Sequence, residues 1–381
     1  MDVTDLRIAL TSGNYNYTRD GANQALNRLV GYLLGQGAAV RVYSPTVAKP
    51  AFPATGDLVG VPAIPFPFGR AEYRAAIGLP GRVRRDLAAF APNIVHASAP
   101  DLLGHRAVSW ARHRALPAIA SVHTRFETYP RYYGLGFLEA PIEAGLRRFY
   151  NRCDAILAPT RSMMDLLAEQ RMNATIRLWS RGVDHATFNP GARDLAWRRG
   201  LGIADDAVVI GFLGRLVLEK GLDVFGRVMT ELQRRGVPHR VLVVGKGPAA
   251  DAFREAVPGA VLAGFQQGAD LGRAVAAMDV LLNPSVTETF GNVTLEAMAC
   301  GVPVVAADAT GSASLVEDGV TGRLVREDDI GGYADAIADY VNNPGARRAA
   351  GLAGSHAAEA FRWDAINRKV VDAYLEVLAR R

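Results

Sequence analysis

Residues 283–305 read NPSVTETFGNVTLEAMACGVPVV. The apolar LLN that leads into this stretch has the character of a strand end, and the VPVVAA that closes it reads as the next strand. Between them Val293, Leu295, Ala297 and Met298 recur at helical spacing, opened by Thr289–Phe290–Gly291–Asn292 and closed by Gly301 before Pro303. A strand–turn–helix of this kind leaves the N–H groups of Gly291, Asn292 and Val293 at a helix N-terminus, which suits an anion or sugar hydroxyls. Glu288 falls in the turn and Glu296 about two turns into the helix, on roughly the same face. The ordinary alternative is an exposed helix acid at Glu296 and a dipole partner at Glu288.

Moving back along the chain, AVVIGFLGRLVLEKGLDVF (207–225) is a buried strand, a turn and a helix. The turn carries Gly214, Arg215 and Lys220; two cations at a strand end beside a helix start can clamp a diphosphate as it becomes a leaving group. HRVLVVGKGPAADAF (239–253) places Gly245, Gly247 and Ala250 in a G-x-G-x-x-A turn after a strand, the form of a dinucleotide fingerprint. The acid that such a fingerprint needs at the end of the next strand is missing, because AVLAGFQQG supplies Gly264, Phe265 and Gln266 there. The tail FRWDAINRKVVDAYLEVLARR is an amphipathic helix with Trp363, Ile366, Val370 and Tyr374 on one side.

The first half opens as a βαβ unit. Leu6–Thr11 is a strand, SGNYNYTRDG a polar loop holding Gly13 and Gly21, and Asn23 to Leu34 a helix ended by Gly37 before the strand AVRVYSP. In a parallel sheet that loop lies at the ligand-binding edge. NIVHASAP (93–100) and AIASVHTRF (118–126) are further strands ending at His96 and His123, which puts both histidines where site residues are expected. In GVPAIPFPFGRAEYRAAIGLPGRVRRDLAAF (60–90), Arg70, Arg74, Arg82, Arg84 and Arg85 alternate with apolar residues, as an interfacial membrane segment requires. Tyr129 and Tyr132 add to an Arg- and Tyr-rich stretch, 125–148, that could receive an acceptor.

The chain as a whole bounds these readings. Its 381 residues exceed one ordinary core, so two domains are the default. Residues 1–181 hold 22 Lys and Arg against 13 Asp and Glu, and the remainder 21 against 25, so the basic charge lies in the first half. A basic half suggests an anionic partner, with an Arg-rich surface of no special meaning as the alternative. Nucleic acid is disfavoured because no recognition motif accompanies the charge. Cys153 and Cys300 follow no metal-ligand spacing and are expected to be reduced and buried. The N-terminus has two acids and no long apolar core, and no run of about 18 uncharged apolar residues occurs, so neither a signal peptide nor a membrane span is expected.

The segment ETFGNVTLEAMACGVPVV resembles the E-x7-E segment of the retaining, nucleotide-sugar-dependent glycosyltransferases of family 4. G-R-x4-K at 214–220 matches that family's diphosphate pair, and GVDHATFNP its interdomain connection. VHASAPDLLGHRA and VHTRFETYPRYYGLGFLE are similar to its glycolipid-forming members, such as sulfoquinovosyl-diacylglycerol synthases and related mannosyl- and glucosyltransferases. The resemblance implies an α/β GT-B fold, two Rossmann-like domains facing across a cleft. Residues 1–181 would form the acceptor domain, with a C-terminal helix 361–381 packing back on it, and 182–360 the nucleotide-sugar domain. It implies catalytic roles for His123, Arg215, Lys220 and Glu288. Donor contacts would come from Gly13, Gly21, Gly214, Gly245, Phe265, Gln266, Phe290, Gly291, Asn292 and Val293, with Glu296 on the ribose. It further implies a UDP-sugar donor, with GDP-mannose as the alternative, and a lipid or lipid-linked saccharide acceptor at an anionic membrane surface. The leaving phosphate would take the acceptor proton, so no cofactor and no metal are expected. The protein would be cytoplasmic, peripheral on the inner membrane face. An NAD-dependent oxidoreductase or sugar-nucleotide epimerase is the competing class.

Overall fold

The structure, a computed structural model, describes residues 1–65, 73–128, 135–288, 290–309 and 311–380. The chain divides into two compact units, residues 1–181 with 363–381, and residues 182–362.

The first unit is built on seven parallel strands in the order β3-β2-β1-β6-β7-β8-β9. These are β1 Arg7–Thr11, β2 Ala39–Ser44, β3 Asp57–Gly60, β6 Ile94–Ala97, β7 Ala118–Ser121, β8 Ala155–Ala158 and β9 Ile176–Leu178. A separate antiparallel hairpin joins β4 Ala63–Pro65 to β5 Arg74–Ala76. The helices are α1 Gly21–Gly35, α2 Gly81–Phe90, α3 Leu102–Arg112, α4 Glu139–Tyr150 and α5 Arg161–Glu169. The strands β6, β7 and β8, apolar but for His96 and Ser121, are buried at every position, as expected where helices cover both sheet faces. Side chains at helix starts answer the orphan N–H groups: Asp20 caps α1, Asp101 caps α3 and Thr160 caps α5.

The second unit repeats the plan with six parallel strands in the order β12-β11-β10-β13-β14-β15. They are β10 Val209–Leu213, β11 Arg240–Val244, β12 Val261–Gly264, β13 Val280–Asn283, β14 Val304–Ala307 and β15 Gly322–Val325. Its helices are α6 Leu195–Gly200, α7 Leu222–Arg234, α8 Ala250–Ala256, α9 Gly268–Ala276, α10 Asn292–Ala299, α11 Ile330–Asn342 and α12 Pro344–Ala358. Two apolar clusters, one around Leu242, Leu281 and Met298 and one around Ile210, Phe225 and Tyr333, are the major buried layers. The last helix, α13 Trp363–Ala379, returns to the first unit. It lies on α1, β8 and β9 and buries Ile366, Val370 and Tyr374, so its apolar stripe is spent on that unit's core. These are the two Rossmann-like domains that the resemblance implied.

In both sheets the strand order reverses beside the first strand, at β1/β6 and at β10/β13. The loops that leave the C-terminal ends of those strands diverge there, which is where open α/β sheets bind ligands.

Candidate functional site

At the reversal in the second unit, three loops are stacked by backbone contact. Gly214 N–H donates to the Val244 carbonyl at 3.0 Å, Gly245 N–H to Gly264 at 2.8 Å, and Leu216 N–H to Lys246 at 3.1 Å. A Cβ on Gly245 would stand 1.9 Å from the Gly214 oxygen, and one on Gly247 2.2 Å from the Leu216 oxygen. The glycines of the G-x-G-x-x-A turn therefore serve loop-to-loop packing, which accounts for a fingerprint without its acid. Phe265 is exposed at the end of this stack, and Gln266 Nε2 donates to the Ala263 carbonyl.

The turn after β10 carries Arg215, whose side chain is exposed, and ends at Lys220. Gly221 follows in the left-handed region, φ 69°, where a Cβ would stand 2.9 Å from the Pro284 carbonyl oxygen. Thr287 Oγ1 donates to the Glu219 carbonyl at 3.0 Å, tying the two loops together. Across this junction the Lys220 ammonium donates to Glu288 Oε1 at 2.7 Å. Two residues 68 positions apart in sequence thus form one ion pair at the strand reversal.

Beyond Glu288, Gly291 adopts φ 92° and opens α10 as an N-cap residue that has no side chain to accept from the N–H groups of the first turn. Asn292 and Val293 stand in that turn. Asn283 Nδ2 donates to Thr294 Oγ1 at 3.1 Å and pins the turn to β13. Phe290 is buried, its ring edge-on to Phe361 at 6.1 Å, so it forms a wall of the core and not a face for a ligand. Burial, and secondarily the neighbouring Glu288 charge, push the Glu296 carboxyl up to about 8.

That displacement has a testable sign. A carboxyl with a raised folded-state pKa keeps a proton that the unfolded chain releases, so stability falls as pH rises from about 4.5 to 8 and is flat above. One proton corresponds to about 1.4 kcal/mol per pH unit at the steepest. Glu296→Gln should remove this slope, and its melting temperature relative to the parent protein should climb between pH 5 and 8. Parallel melting curves across that range would refute the protonated state.

At the reversal in the first unit, Gly13 sits against Asp101, where a Cβ would meet Oδ2 at 2.6 Å. Gly21 is the first residue of α1, behind its Asp20 cap. His123 lies two residues beyond β7. A guanidinium only donates, so Arg181 Nη2 at 2.6 Å makes His123 Nδ1 the acceptor and leaves the proton on Nε2. Nε2–H then donates to Ser121 Oγ at 2.8 Å, and Ser121 can donate onward to His96 Nε2 at 3.0 Å. His96 Nδ1–H reaches Tyr374 Oη at 2.6 Å. The chain of groups runs from the end of β9 through β7 and β6 to the C-terminal helix. Burial holds His96 down to about 3, and burial with the neighbouring Arg181 charge holds His123 well below its usual value, so both rings are neutral.

This corrects the expectation for His96, which is fully buried inside β6 and holds the relay instead of facing a ligand. His123 remains at the sheet edge with both ring nitrogens hydrogen-bonded. Arg181, Ser121 and Tyr374 were not legible as site residues. The one available signal was an arginine directly before GVDHATFNP, at the end of a strand.

The basic stretch divides differently from the expectation. In α2, Val83, Leu87 and Phe90 are buried while Arg82, Arg84 and Arg85 are exposed, so the apolar residues of this helix face the core and not a membrane. Arg74 is in β5, where its N–H donates to Tyr17 Oη at 3.1 Å. By the register Ile64↔Ala75, Ile64 and Ile77 share one side of the hairpin, and both are exposed. Arg70, Tyr129 and Tyr132 lie outside the described residues. Among the described residues, no helix is long and apolar enough to cross a membrane.

Comparison with known proteins follows the same division. Residues 207–343 match the family profile described as "Glycosyl transferases group 1", and residues 19–187 the profile described as "Glycosyltransferase Family 4". The chain is 32% identical over 380 residues to a GDP-mannose-dependent alpha-mannosyltransferase of Mycolicibacterium smegmatis, covering 99% of each. It is 30% identical over 359 residues to a sulfoquinovosyl transferase of Arabidopsis thaliana, covering 92% of this chain and 69% of that one. Among solved structures it is similar in fold to a sucrose-phosphate synthase from Thermosynechococcus elongatus, with a TM-score of 0.78 at 20% identity over 98% and 99% of the two chains.

Proposed function

Because this chain belongs to the glycosyltransferases of family 4, group 1, we propose that it transfers a mannosyl group from GDP-mannose, with retention, to a lipid or lipid-linked saccharide. The chain is a glycosyltransferase that uses a nucleotide-sugar. The observation that carries the reading at residue level is the Lys220–Glu288 pair at 2.7 Å, at the strand reversal of the second unit and beside the uncapped start of α10.

In this reading Lys220 and Arg215 neutralise the diphosphate as the bond from the anomeric carbon to the phosphate oxygen breaks. The acceptor hydroxyl forms its bond on the same face and passes its proton to the departing phosphate oxygen, so no separate carboxylate base is used. Lys220 offers one N–H to Glu288 and has two more for phosphate oxygens. Glu288 would orient the sugar, the first-turn amides of α10 would lie near it, and Glu296 would accept the ribose hydroxyls. The first unit would hold the acceptor, with His123 presented at its sheet edge.

The donor preference turns from UDP toward GDP because the relative matched over its whole length is named for GDP-mannose. A UDP-sugar is the second reading, supported by the resemblance to glycolipid-forming members and by the Arabidopsis relative. The exposed Arg82, Arg84 and Arg85, with Ile64 and Ile77 on the neighbouring hairpin, support an anionic membrane surface as the place of work.

One assay addresses these points together. The protein is melted against GDP, UDP and NAD, then given each nucleotide-sugar with acceptor lipid in anionic vesicles and a chelator in the buffer. A ligand at 100 times its dissociation constant adds about 2.7 kcal/mol, so GDP should raise the midpoint visibly, and turnover should survive the chelator. Stabilisation by UDP alone would establish the second reading, and stabilisation by NAD alone would overturn both.

A further inference from the structure

Arg181 is the last residue of the first unit's N-terminal segment and is only 4% exposed. Its guanidinium donates to the carbonyls of Trp179 at 3.0 Å and Ser180 at 3.2 Å, and to His123 Nδ1 at 2.6 Å. It lies over the Trp179 ring, 4.9 Å from the centroid. All of these partners are neutral. Among the described residues no carboxylate is paired with it, and burial alone lowers its basicity, to about 10. Buried cations are ordinarily paired with an anion, since removing a full charge from water is costly and carbonyls offset only part of it. Trp179 is also buried, and its indole N–H has no acceptor among the described residues. The relay behind the guanidinium adds no negative charge, because His123, Ser121, His96 and Tyr374 are all neutral there. A cation without a counterion among the described residues stands just past the end of β9, at the edge of the sheet where this fold class binds ligands.

We infer that Arg181 receives an anionic oxyacid group, a phosphate or a carboxylate, carried by one of the two substrates. The identity of those substrates rests on the glycosyl-transfer reading above. A planar, permanently charged fork suits such a group better than an ammonium does, and His123, fixed by its contact with the same guanidinium, reports its arrival. The group has two possible sources, an acid on the acceptor or the donor's diphosphate.

The test uses the full chain with its histidine ring nitrogens labelled, titrated with inorganic phosphate and separately with GDP. In the parent protein, phosphate should move the His123 ring signals saturably. Arg181→Gln should bind phosphate at least about tenfold more weakly, and Arg181→Lys should recover part of the loss. If GDP binds Arg181→Gln as it binds the parent protein, and the phosphate response persists under saturating GDP, the acceptor carries the acid. If GDP binding weakens in parallel, the diphosphate is the ligand. An arginine with a purely structural role would lower the melting temperature of both variants and leave anion binding unchanged, which would overturn the inference. Should Arg181→Gln not fold, the parent titration decides alone, and a His123 signal unmoved by phosphate and by GDP overturns it. A protein that binds phosphate at Arg181 but neither GDP nor UDP would instead remove the glycosyl-transfer reading.

Discussion

Lys220→Ala is expected to lower kcat by about 100- to 1000-fold, the loss typical when one preorganised charge or donor is removed from developing negative charge. Its ammonium is held by Glu288 at 2.7 Å, and the Gly221–Pro284 approach fixes the turn that carries it. The cation is thus aimed before any ligand arrives, and little rearrangement is needed when the diphosphate departs. Because the charge matters most as the bond breaks, the loss should fall on kcat more than on KM. The substitution also takes the Lys220 charge away from Glu288, whose side chain is about one-tenth exposed, so some loss of stability is expected as well. A melting curve of Lys220→Ala recorded beside its kinetics separates the two effects, because the stability loss appears there and the catalytic loss in kcat of the folded protein. Steady-state kinetics on folded Lys220→Ala decide the matter; a fall in kcat of less than tenfold would remove Lys220 from the chemistry.

Gly245→Ala should be the most damaging single methyl in the second unit. The residue adopts φ 144°, and the new Cβ would lie 1.9 Å from the Gly214 oxygen and 2.9 Å from its carbonyl carbon. Backbone cannot swing aside as the tip of a side chain can, so the loops after β10 and β11 must part. A loss of about 3 kcal/mol or more is expected, from strain and from the hydrogen bonds at Gly214 and Gly245. For a unit of this size that is a drop of roughly 6–12 °C in melting temperature. Gly259→Ala is the control: its φ is 82°, but nothing lies within 4 Å of the added carbon. It should cost only about 1 kcal/mol, the conformational part alone. Nucleotide affinity should fall in Gly245→Ala and not in Gly259→Ala, because Arg215 rides on the displaced turn. Equal melting temperatures for the two variants would show that the loops tolerate separation.

The local pattern of this sequence determined a great deal. Apolar runs of four or five residues bounded by glycine and by capping side chains are strands and helices wherever they occur, because burial of both sheet faces leaves little else for them to do. The strand–turn–helix at 283–305 follows from helical spacing and from Gly291, and Glu288 and Glu296 follow from it. The opening loop and the Arg215–Lys220 turn were legible for the same reason, since each is a short-range signal. What depends on distant neighbours was not. The glycines of 245–250 read as a nucleotide fingerprint until the loop at 214–216 is seen lying across them. The arginine-studded helix α2 reads as interfacial until Val83, Leu87 and Phe90 turn toward the core. His96 reads as a site residue until Tyr374, 278 positions away, is found closing its Nδ1. Arg181 shows in sequence only its charge and its place at a strand end directly before GVDHATFNP. Only the tertiary structure, by surrounding that charge with carbonyls, an indole face and a neutral imidazole, reveals a cation without a counterion among the described residues.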